Sequence, residues 1–236
     1  MERHALLFRV KPGTEAAVAE ILGAYRRPPT EIDAETRLLG TTVLMHSNVV
    51  VRTMEIEGSL PRVAAHLARQ PEIQAAERAL NPYLLIPRDL SGPDGARAFF
   101  QRSAMTLLMH RGAPVLPGGR VDITRHALLY PLRPGTGAAA DAVFTAGGDP
   151  PPQAGTTRLL STTVFRHQDT VVRQFEILGD LDEAIEHLVR ATALQNTGQR
   201  LAQYLSVDIS DEDGLRSFFR DQLMTVVTDR RAAQVA

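Results

Sequence analysis

An internal duplication constrains this fold more than any other feature of the sequence. Thr36–Gly58 and Thr157–Gly179 align without a gap and are identical at 14 of 23 positions. Shorter matches flank this segment on both sides: Arg3–Leu7 with Arg125–Leu129, Phe99-Phe100 with Phe218-Phe219, and Met105-Thr106 with Met224-Thr225. The 236 residues therefore contain one unit of roughly 105 residues written twice.

The bounds of the two copies follow from the segment between them. Residues 112–122 contain Pro114, Pro117, Gly118 and Gly119, a composition typical of a linker. We therefore predict an N-terminal repeat at residues 1–111 and a C-terminal repeat at residues 123–230. A second loose stretch, residues 147–152, is predicted to be a surface loop inside the second copy.

Apolar periodicity predicts the order β-α-β-β-α-β in each copy, followed by a terminal helix. In the first copy we expect strands at His4–Val10, Arg37–Met45, Val49–Glu57 and Tyr83–Ile86. Helices are expected at Glu15–Tyr25, from Leu60 onward with an extension or restart at Pro71–Leu80, and from Asp94 through Leu108. Thr14 and Ser59 are the expected N-caps of the first two helices.

This order is the split βαβ, or ferredoxin-like, pattern. Helices can cover only one face of such a sheet, and the other face is still partly apolar, so it must be covered too. Two copies in one chain can do this by packing sheet against sheet. The predicted fold class is α+β, with tandem ferredoxin-like repeats forming an intramolecular dimeric α+β barrel.

Composition removes several classes of function. The chain has no cysteine, which excludes disulfides, thiolate catalysis and metal–thiolate sites. Its net charge of −1 offers no overall basic field for nucleic acid or an anionic membrane. We also find no secretory signal and no apolar run of membrane-spanning length, so a cytoplasmic protein is expected.

Six of the seven histidines occur at equivalent positions of the two copies. His66 and His187 directly precede core leucines on the second helix, at the edge of its apolar face. A histidine there can act as a general base because its pKa lies near neutrality. The alternative is a half-buried histidine that bonds a neighbouring backbone carbonyl. His4, which begins the first strand with His126 as its counterpart, is a further candidate.

Arginines inside strands form the second group of candidates. Arg52 and Arg173 lie mid-strand, three residues before Glu55 and Glu176, so strand parity places each arginine and glutamate on opposite faces. Charges in a covered strand need partners or a ligand. Arg37 begins the second strand and has the same two readings. These arginines could hold an anionic or enolate oxygen, or they could form structural ion pairs.

One motif invites a wrong reading. Residues 135–140 match the G-x-G-x-x-A dinucleotide fingerprint between a predicted strand and helix, but the first copy reads Gly13-Thr14-Glu15 at the same place. No acidic residue follows at the end of a second parallel strand. We therefore predict a routine strand-to-helix turn. No local spacing predicts a metal site, and no cofactor is expected.

The motifs together resemble the SchA/CurD-like family of aromatic polyketide and spore-pigment biosynthesis. The resemblance rests on R-H-A-L-L, T-R-L-L-x-T-T-V, V-V-R-x-x-E-I, A-A-H-L-A-R-Q-P (Ala64–Pro71) and N-P-Y-L (Asn81–Leu84), and it covers nearly the whole chain. The second copy departs from the last two motifs. If only one half is catalytic, the first half is therefore the better candidate.

The resemblance implies work on a poly-β-ketone or a polycyclic phenol. The first reading is a cofactor-independent, quinone-forming monooxygenase in which a base such as His66 takes a proton and Arg52 or Arg37 steadies the anion. A polyketide cyclase would need the same residues. A non-catalytic subunit that shapes the polyketide or docks on synthase components is the third reading. The chain would act as a monomeric pseudo-dimer or as a homodimer.

Overall fold

The computed structural model describes residues 1–26, 29–89, 93–112, 123–146, 157–194, 196–205, 207, 209 and 211–231. The predicted linker after Gly112 and the stretch 147–152 lie outside these ranges. The chain divides into two compact units. Unit 1 contains residues 1–105 and 225–236, and unit 2 contains residues 106–224.

Unit 1 is a four-stranded antiparallel sheet with helices on one face. Its elements are β1 (Glu2–Arg9), α1 (Glu15–Ala24), β2 (Arg37–His46), β3 (Val49–Glu57), α2 (Leu60–Ala68), α3 (Pro71–Leu80), a 3-10 turn (Asn81–Tyr83), α4 (Pro93–Ser103) and β8 (Thr225–Arg231). The strand order is β1-β3-β2-β8, and all neighbours are antiparallel.

Unit 2 repeats this plan. Its elements are β4 (Thr106–Gly112), β5 (Ile123–Pro131), α5 (Gly137–Thr145), β6 (Arg158–His167), β7 (Thr170–Leu178), α6 (Leu181–Leu194), α7 (Thr197–Ala202) and α8 (Glu212–Asp221). The strand order is β4-β6-β7-β5. Two antiparallel sheets, each with its own helices, confirm the predicted α+β class with tandem ferredoxin-like repeats.

The predicted fourth strand was wrong. Tyr83–Ile86 forms only one bridge, between Val10 and Leu84, beside β1. The fourth strand of each sheet lies instead at the other edge. In unit 1, β8 pairs with β2, and in unit 2, β4 pairs with β6. The start of β4 was expected to be helical, and β8 was not assigned. The compact units thus differ from the sequence repeats 1–111 and 123–230 in their last strand.

The last helix of the first copy is shorter than expected. It ends at Ser103, and Thr106–Gly112 is extended. The spacing of Met105 and Leu108 fits a helix, but the equivalent segment Thr225–Arg231 begins Thr-Val-Val-Thr, which is rich in residues that favour strands. The strand could therefore have been predicted from the second copy, although not from the first.

The two expected N-caps occupy the right positions but do not cap. Neither the Thr14 nor the Ser59 hydroxyl accepts a hydrogen bond from its helix. The Thr14 hydroxyl instead donates to the Lys11 carbonyl at 2.7 Å, which stabilises the turn before α1. A side-chain cap is present in unit 2, where the Asp211 carboxylate accepts from Gly214 N at the start of α8.

A proline explains why the helix after β3 breaks before Pro71 in unit 1, whereas α6 of unit 2 continues past the equivalent position. Pro71 restarts the chain as α3 and holds the preceding Gln70 in an extended conformation (φ −75°, ψ 124°). Thr192 is the equivalent residue of the second copy, and there α6 runs without interruption over 14 residues.

The core of each unit lies between its sheet and its helices. In unit 1 it contains alternate strand residues such as Phe8, Val43 and Ile56, together with Val18 and Leu80 from the helices. The opposite sheet face is buried as well, with Leu44 and Val51 fully inaccessible. Both faces of the strands are therefore apolar, and a charged side chain on either face is costly unless it is paired.

The turn that resembles a dinucleotide fingerprint is a structural device. A Cβ on Gly137 would lie 2.0 Å from the Gln168 carbonyl, so glycine is needed for the close approach of the β6–β7 turn. The Asp169 carboxylate accepts hydrogen bonds from Gly135 N and Gly137 N at 2.8 Å each. The chain's own carboxylate thus occupies the place that a phosphate would take in a dinucleotide-binding fold.

Candidate functional site

Two of the predicted site residues lie at the periphery. The Arg37 side chain is about half exposed (48%) and pairs with Glu31 at 3.5 Å, in a short bridge before β2. His4 contacts the Glu2 carboxylate of its own strand at 3.1 Å. Both side chains have nearby carboxylates as partners, and the structure gives neither of them a contact with the other candidates.

Arg52 occupies a different environment. It lies in the middle of β3, opposite Leu6 on one side and Val43 on the other, on the sheet face that packs against the helices. One terminal nitrogen donates to the Tyr25 hydroxyl at 3.1 Å, and Nε is buried without a partner. A half-buried guanidinium under the helices is thus held by a phenol rather than by a carboxylate.

A second arginine meets the same tyrosine. The guanidinium carbon of Arg230, on β8, lies 4.3 Å from the centroid of the Tyr25 ring, and one terminal nitrogen donates to the Gly23 carbonyl at 3.0 Å. Its other terminal nitrogen is buried and unpaired. Tyr25 follows α1 directly, so the end of this helix brings Arg52 and Arg230 to one aromatic ring.

Arg88 is a deeply buried cation of unit 1. Its side chain is 11% exposed, it pairs with Glu77 at 3.0 Å, and its guanidinium carbon lies 3.4 Å from the Phe99 ring centroid. Asn81 fixes the backbone of Arg88 through two hydrogen bonds, at 2.7 and 3.1 Å. The Arg88 Nε is buried and has no partner.

Burial lowers the pKa of Arg88 to about 10. The carboxylate of Glu77 opposes this shift, and the positive charge of Arg52 adds to it. Arg88 therefore feels the charge of Arg52 through a largely apolar medium. At neutral pH the Arg88 guanidinium remains protonated, since a pKa of about 10 is still three units above neutrality.

Thr228 completes the group. It lies on β8 opposite Val43, which in turn lies opposite Arg52, so the three side chains form one row on the helix side of the sheet. The Thr228 hydroxyl oxygen is buried and has no hydrogen-bond partner. We call Tyr25, Arg52, Arg88, Thr228 and Arg230 the arginine cluster.

The charges of the arginine cluster do not balance within the part of the chain that the structure describes. Of the three guanidiniums, that of Arg88 pairs with the Glu77 carboxylate, whereas neither Arg52 nor Arg230 has an ion pair there. Four buried polar atoms of the cluster also lack hydrogen bonds. Each such atom costs free energy, so the arrangement is suited to an anionic ligand that accepts hydrogen bonds.

The predicted base lies outside the arginine cluster. His66 is half buried near the end of α2, and its Nε2 lies 3.1 Å from the Gln70 amide nitrogen. That contact is to a side chain rather than to the backbone carbonyl that we weighed as the alternative. His187 is half buried on α6, and its Nδ1 is buried without a partner. Ala191 stands where the first copy has Gln70, so the contact that Gln70 makes to Nε2 of His66 has no equivalent at His187.

Arg173 shows how unit 2 treats the position equivalent to Arg52. It hydrogen-bonds the hydroxyl of Tyr130, a fully buried residue on β5. Burial raises the pKa of Tyr130, and the nearby Arg173 opposes that shift. The Tyr130 ring contacts three phenylalanines, Phe144, Phe218 and Phe219, with centroids 5.2–6.3 Å apart. The Arg173 Nε is unpaired, as in Arg52.

The glutamates that accompany these arginines turn the other way, as strand parity predicts. Glu55 pairs with Arg3 across the β1–β3 ladder at 3.4 Å. In unit 2, Glu176 pairs with Arg125 at 2.8 Å and also accepts a hydrogen bond from Ser161. The glutamates therefore do not neutralise Arg52 and Arg173.

Four members of the arginine cluster were missed by sequence reasoning. Arg230 and Thr228 were hidden because their strand was not recognised, and Tyr25 was assigned only as the last residue of a helix. Arg88 stands in a segment without periodicity. One signal was available for Arg88, since the second copy has no arginine between Leu205 and Leu215.

The residues that the structure describes contain no group of three or more histidine or acidic side chains placed to hold a metal ion. In the same ranges, no helix combines the length and the apolar character needed to cross a membrane.

The sequence has clear relatives. It is 42% identical to "Polyketide synthase CurD" of Streptomyces cyaneus, over 98% of this chain and 64% of that protein. It is 39% identical to a 42.8 kDa protein in the whiE locus of Streptomyces coelicolor, over 98% of this chain and 59% of that protein. It is 35% identical to protein SchA of Streptomyces halstedii, over 98% and 61%. The chain thus spans about three fifths of the length of these relatives.

Solved structures with a similar course of the chain share little sequence. A putative monooxygenase from Lactobacillus acidophilus NCFM has a TM-score of 0.49 and 6% identity, with 98% of this chain and 97% of that chain covered. An anthrone oxidase-like protein has a TM-score of 0.43 and 11% identity, with 98% and 93% covered.

The family assignment comes from the sequence itself. The SchA/CurD like domain matches residues 1–113 and again residues 123–232, so both copies of the duplication carry it. With these matches over nearly the whole chain, the protein belongs to the SchA/CurD-like family, which is associated with polyketide biosynthesis.

Proposed function

We propose that this protein is a tailoring enzyme of aromatic polyketide biosynthesis, a monooxygenase that needs no cofactor and forms a quinone from a polycyclic phenol. The observation that carries the proposal is the arginine cluster of unit 1, with its surplus of positive charge and its four unpaired buried polar atoms. The family supplies the class of substrate.

The chemistry follows from what buried cations do to an acidic ligand. A phenol or a 1,3-dicarbonyl compound bound beside Arg52 and Arg230 loses a proton more easily, because the guanidiniums stabilise the resulting oxyanion. The anion is delocalised onto carbon and is electron-rich enough to react with dioxygen. Converting a ring methylene to a carbonyl consumes one O2 per substrate: one oxygen atom enters the product, and the other leaves as water with the two methylene hydrogens.

The two kinds of candidate residue have separate roles in this proposal. Arg52 and Arg230 hold the oxyanion, and Tyr25 keeps both guanidiniums in place. His66 is the candidate base. Its Nε2 must exchange the contact with Gln70 before it can take a proton, so its contribution is expected to be smaller than that of Arg52. Arg37, His4, His187 and Arg173 have no role in the step.

Product analysis of the pathway tests the proposal. The polyketide substrate pool is incubated with the wild-type protein, with Arg52→Met and with His66→Ala, each in air and under nitrogen. We expect a product that gains one oxygen atom and loses two hydrogens only in air. Loss of the oxyanion partner in Arg52→Met should slow its formation about 100-fold. Arg173→Met is the matched control and should leave the rate unchanged.

The same experiment identifies the alternatives. A changed ring pattern that forms equally under nitrogen would make the protein a cyclase, because aldol closure needs the enolate but no oxidant. A product pattern that depends on the protein but survives Arg52→Met would indicate a non-catalytic subunit that shapes the polyketide beside synthase components. We place the reaction in the cytoplasm, with the chain acting as a monomer or a homodimer.

A further inference from the structure

We infer that each chain has one ligand site, the arginine cluster of unit 1, which takes a planar phenol or enol as its anion, and that the equivalent place in unit 2 is closed by the protein's own side chains. The duplication would otherwise suggest two sites. This inference rests on the site used in the proposed function, but it concerns the number of sites and the charge of the ligand.

The two sheets share one strand plan, and the equivalent arginines make equivalent contacts in both units, so the contrast lies mainly in the neighbouring side chains. Arg230 donates to the Gly23 carbonyl at 3.0 Å, and its counterpart Arg111 donates to the Thr145 carbonyl at 3.3 Å. Arg52 and Arg173 each bond a tyrosine hydroxyl. Two arginines of the cluster therefore have counterparts at equivalent positions of unit 2.

The other members of the arginine cluster have no polar counterparts. Thr228 lies opposite Val43 on β8, whereas Met109 takes this position on β4, opposite Val164, and packs against the core. No arginine corresponds to Arg88: the shorter segment of the second copy supplies Ile209, which is 1% exposed within the unit 2 core. A hydroxyl and a cation in unit 1 are thus opposed by two apolar side chains in unit 2.

The tyrosines show the same contrast. Tyr25 stands at the end of α1, half buried, with one guanidinium on its hydroxyl and another over its ring. After α5 the chain continues as Ala146-Gly147, so unit 2 lacks this ring. Tyr130 lies instead on the strand, at the position of Phe8, and is fully buried among phenylalanines. The phenol that binds Arg173 is part of the packed core.

Among the described residues, buried polar atoms without hydrogen bonds are also more numerous in unit 1 than in unit 2. On the helix side of unit 1 the arginine cluster presents four of them, three on cations. On the helix side of unit 2, the described residues leave two, the Arg173 Nε and the His187 Nδ1. An anion placed in unit 1 would gain several charged hydrogen bonds, whereas in unit 2 it would first have to displace aromatic rings.

A binding titration tests this inference without any turnover. The probe is alizarin, a hydroxyanthraquinone whose anion absorbs at longer wavelength than its neutral form. It is titrated against the full chain between pH 5 and 9. We expect one probe per chain and a lowering of the apparent pKa of the bound phenol. Arg52→Met, and separately the double variant Arg88→Met with Thr228→Met, should weaken binding at least tenfold and abolish the pKa shift.

The control is Arg173→Met, which removes the equivalent arginine of unit 2 and should bind like the wild type. Arg52→Lys, which keeps the charge, should retain part of the pKa shift, so that a misfolded Arg52→Met cannot be mistaken for support. Two probes per chain, or equal weakening by Arg173→Met and Arg52→Met, would overturn the inference. One-site binding by a protein that has no effect on the pathway product would contradict the proposed reaction but not this inference.

Discussion

The helix sides of the two sheets have the same origin and opposite character. In unit 1, three arginines, a tyrosine and a threonine stand between the sheet and the helices with unpaired polar atoms. In unit 2, the corresponding space is occupied mainly by aromatic and aliphatic side chains around Tyr130. After a duplication, one copy can keep a costly polar site while the other is optimised for packing.

The helices of the two units also differ in how they are linked to one another. In unit 2, Arg216 of α8 makes two hydrogen bonds to Glu186 of α6, at 2.7 and 3.1 Å. In unit 1 the position of Glu186 is Ala65, and among the described residues Arg97, the counterpart of Arg216, pairs only with Asp94 of its own helix. Unit 2 therefore has a continuous α6 tied to α8, whereas the helices over the arginine cluster are broken at Pro71 and are not linked in this way.

The largest effect should come from placing a charge in the packed unit. Ile209→Arg would bury a guanidinium at a position that is 1% exposed, and Gly198 stands where unit 1 has Glu77, the partner of Arg88. We expect a loss of about 4 kcal/mol in the free energy of unfolding, measured by urea denaturation. Ile209→Val, expected to cost about 1 kcal/mol, is the control. A loss for Ile209→Arg as small as that of the control would mean that unit 2 is not closed.

A single substitution can introduce the helix break of unit 1 into unit 2. Thr192→Pro removes a backbone donor inside α6 and should lower the free energy of unfolding by about 3 kcal/mol. The reverse change, Pro71→Ala, should cost less than about 1 kcal/mol, because α3 begins at this residue. Denaturation curves of both variants check this. Equal losses would show that the break at Pro71 is essential to unit 1.

Removing the buried cation from unit 1 should have the opposite sign. Arg88→Met replaces a guanidinium that is 11% exposed by an apolar chain of similar length. We expect a gain of about 1–2 kcal/mol in the free energy of unfolding, together with weaker binding of the alizarin probe. Glu77→Gln, which leaves the buried charge without its partner, should instead destabilise the protein. A destabilised Arg88→Met would assign Arg88 a structural role.

The smallest effect concerns the tie between α6 and α8 and depends on pH. The hydrogen bonds from Arg216 hold the pKa of Glu186 below its usual value, so this pair stabilises the folded state above the ordinary glutamate pKa. The contribution is lost as the pH falls through the lowered pKa. Glu186→Gln should therefore lower Tm by roughly 2 °C at pH 7, and this loss should shrink as the pH falls below the ordinary glutamate pKa. A loss that stays constant as the pH falls would contradict this.

Much of this fold could be predicted from the sequence because its signals are local. The β2–β3 and β6–β7 hairpins, the α1 and α5 helices and the restart at Pro71 follow from alternation, periodicity and one proline. The fourth strand could not be predicted in the same way. An extended segment such as Thr106–Gly112 can pair with any free edge, and the choice of the β6 edge depends on residues far away in the chain.

The residues of the candidate site could also be predicted only in part. Arg52 was recognisable because an arginine in an apolar strand needs a partner, and its opposition to Glu55 followed from strand parity alone. Arg37 had the same residue type and the same two possible roles, yet its position at the first residue of β2 leaves its side chain about half exposed beside Glu31. Residue type and periodicity thus identified candidates, but burial decided between them.

The sequence by itself determined the duplication, the family, the order of most elements and the sheet face on which each strand residue lies. These properties depend on neighbours within a few residues or on comparison of the two copies. Only the tertiary structure decided that Arg230, near the end of the chain, meets Tyr25, near its beginning, and that Arg88 folds onto Phe99. Such contacts join residues distant in sequence, and their charges are costly only because packing removes them from water.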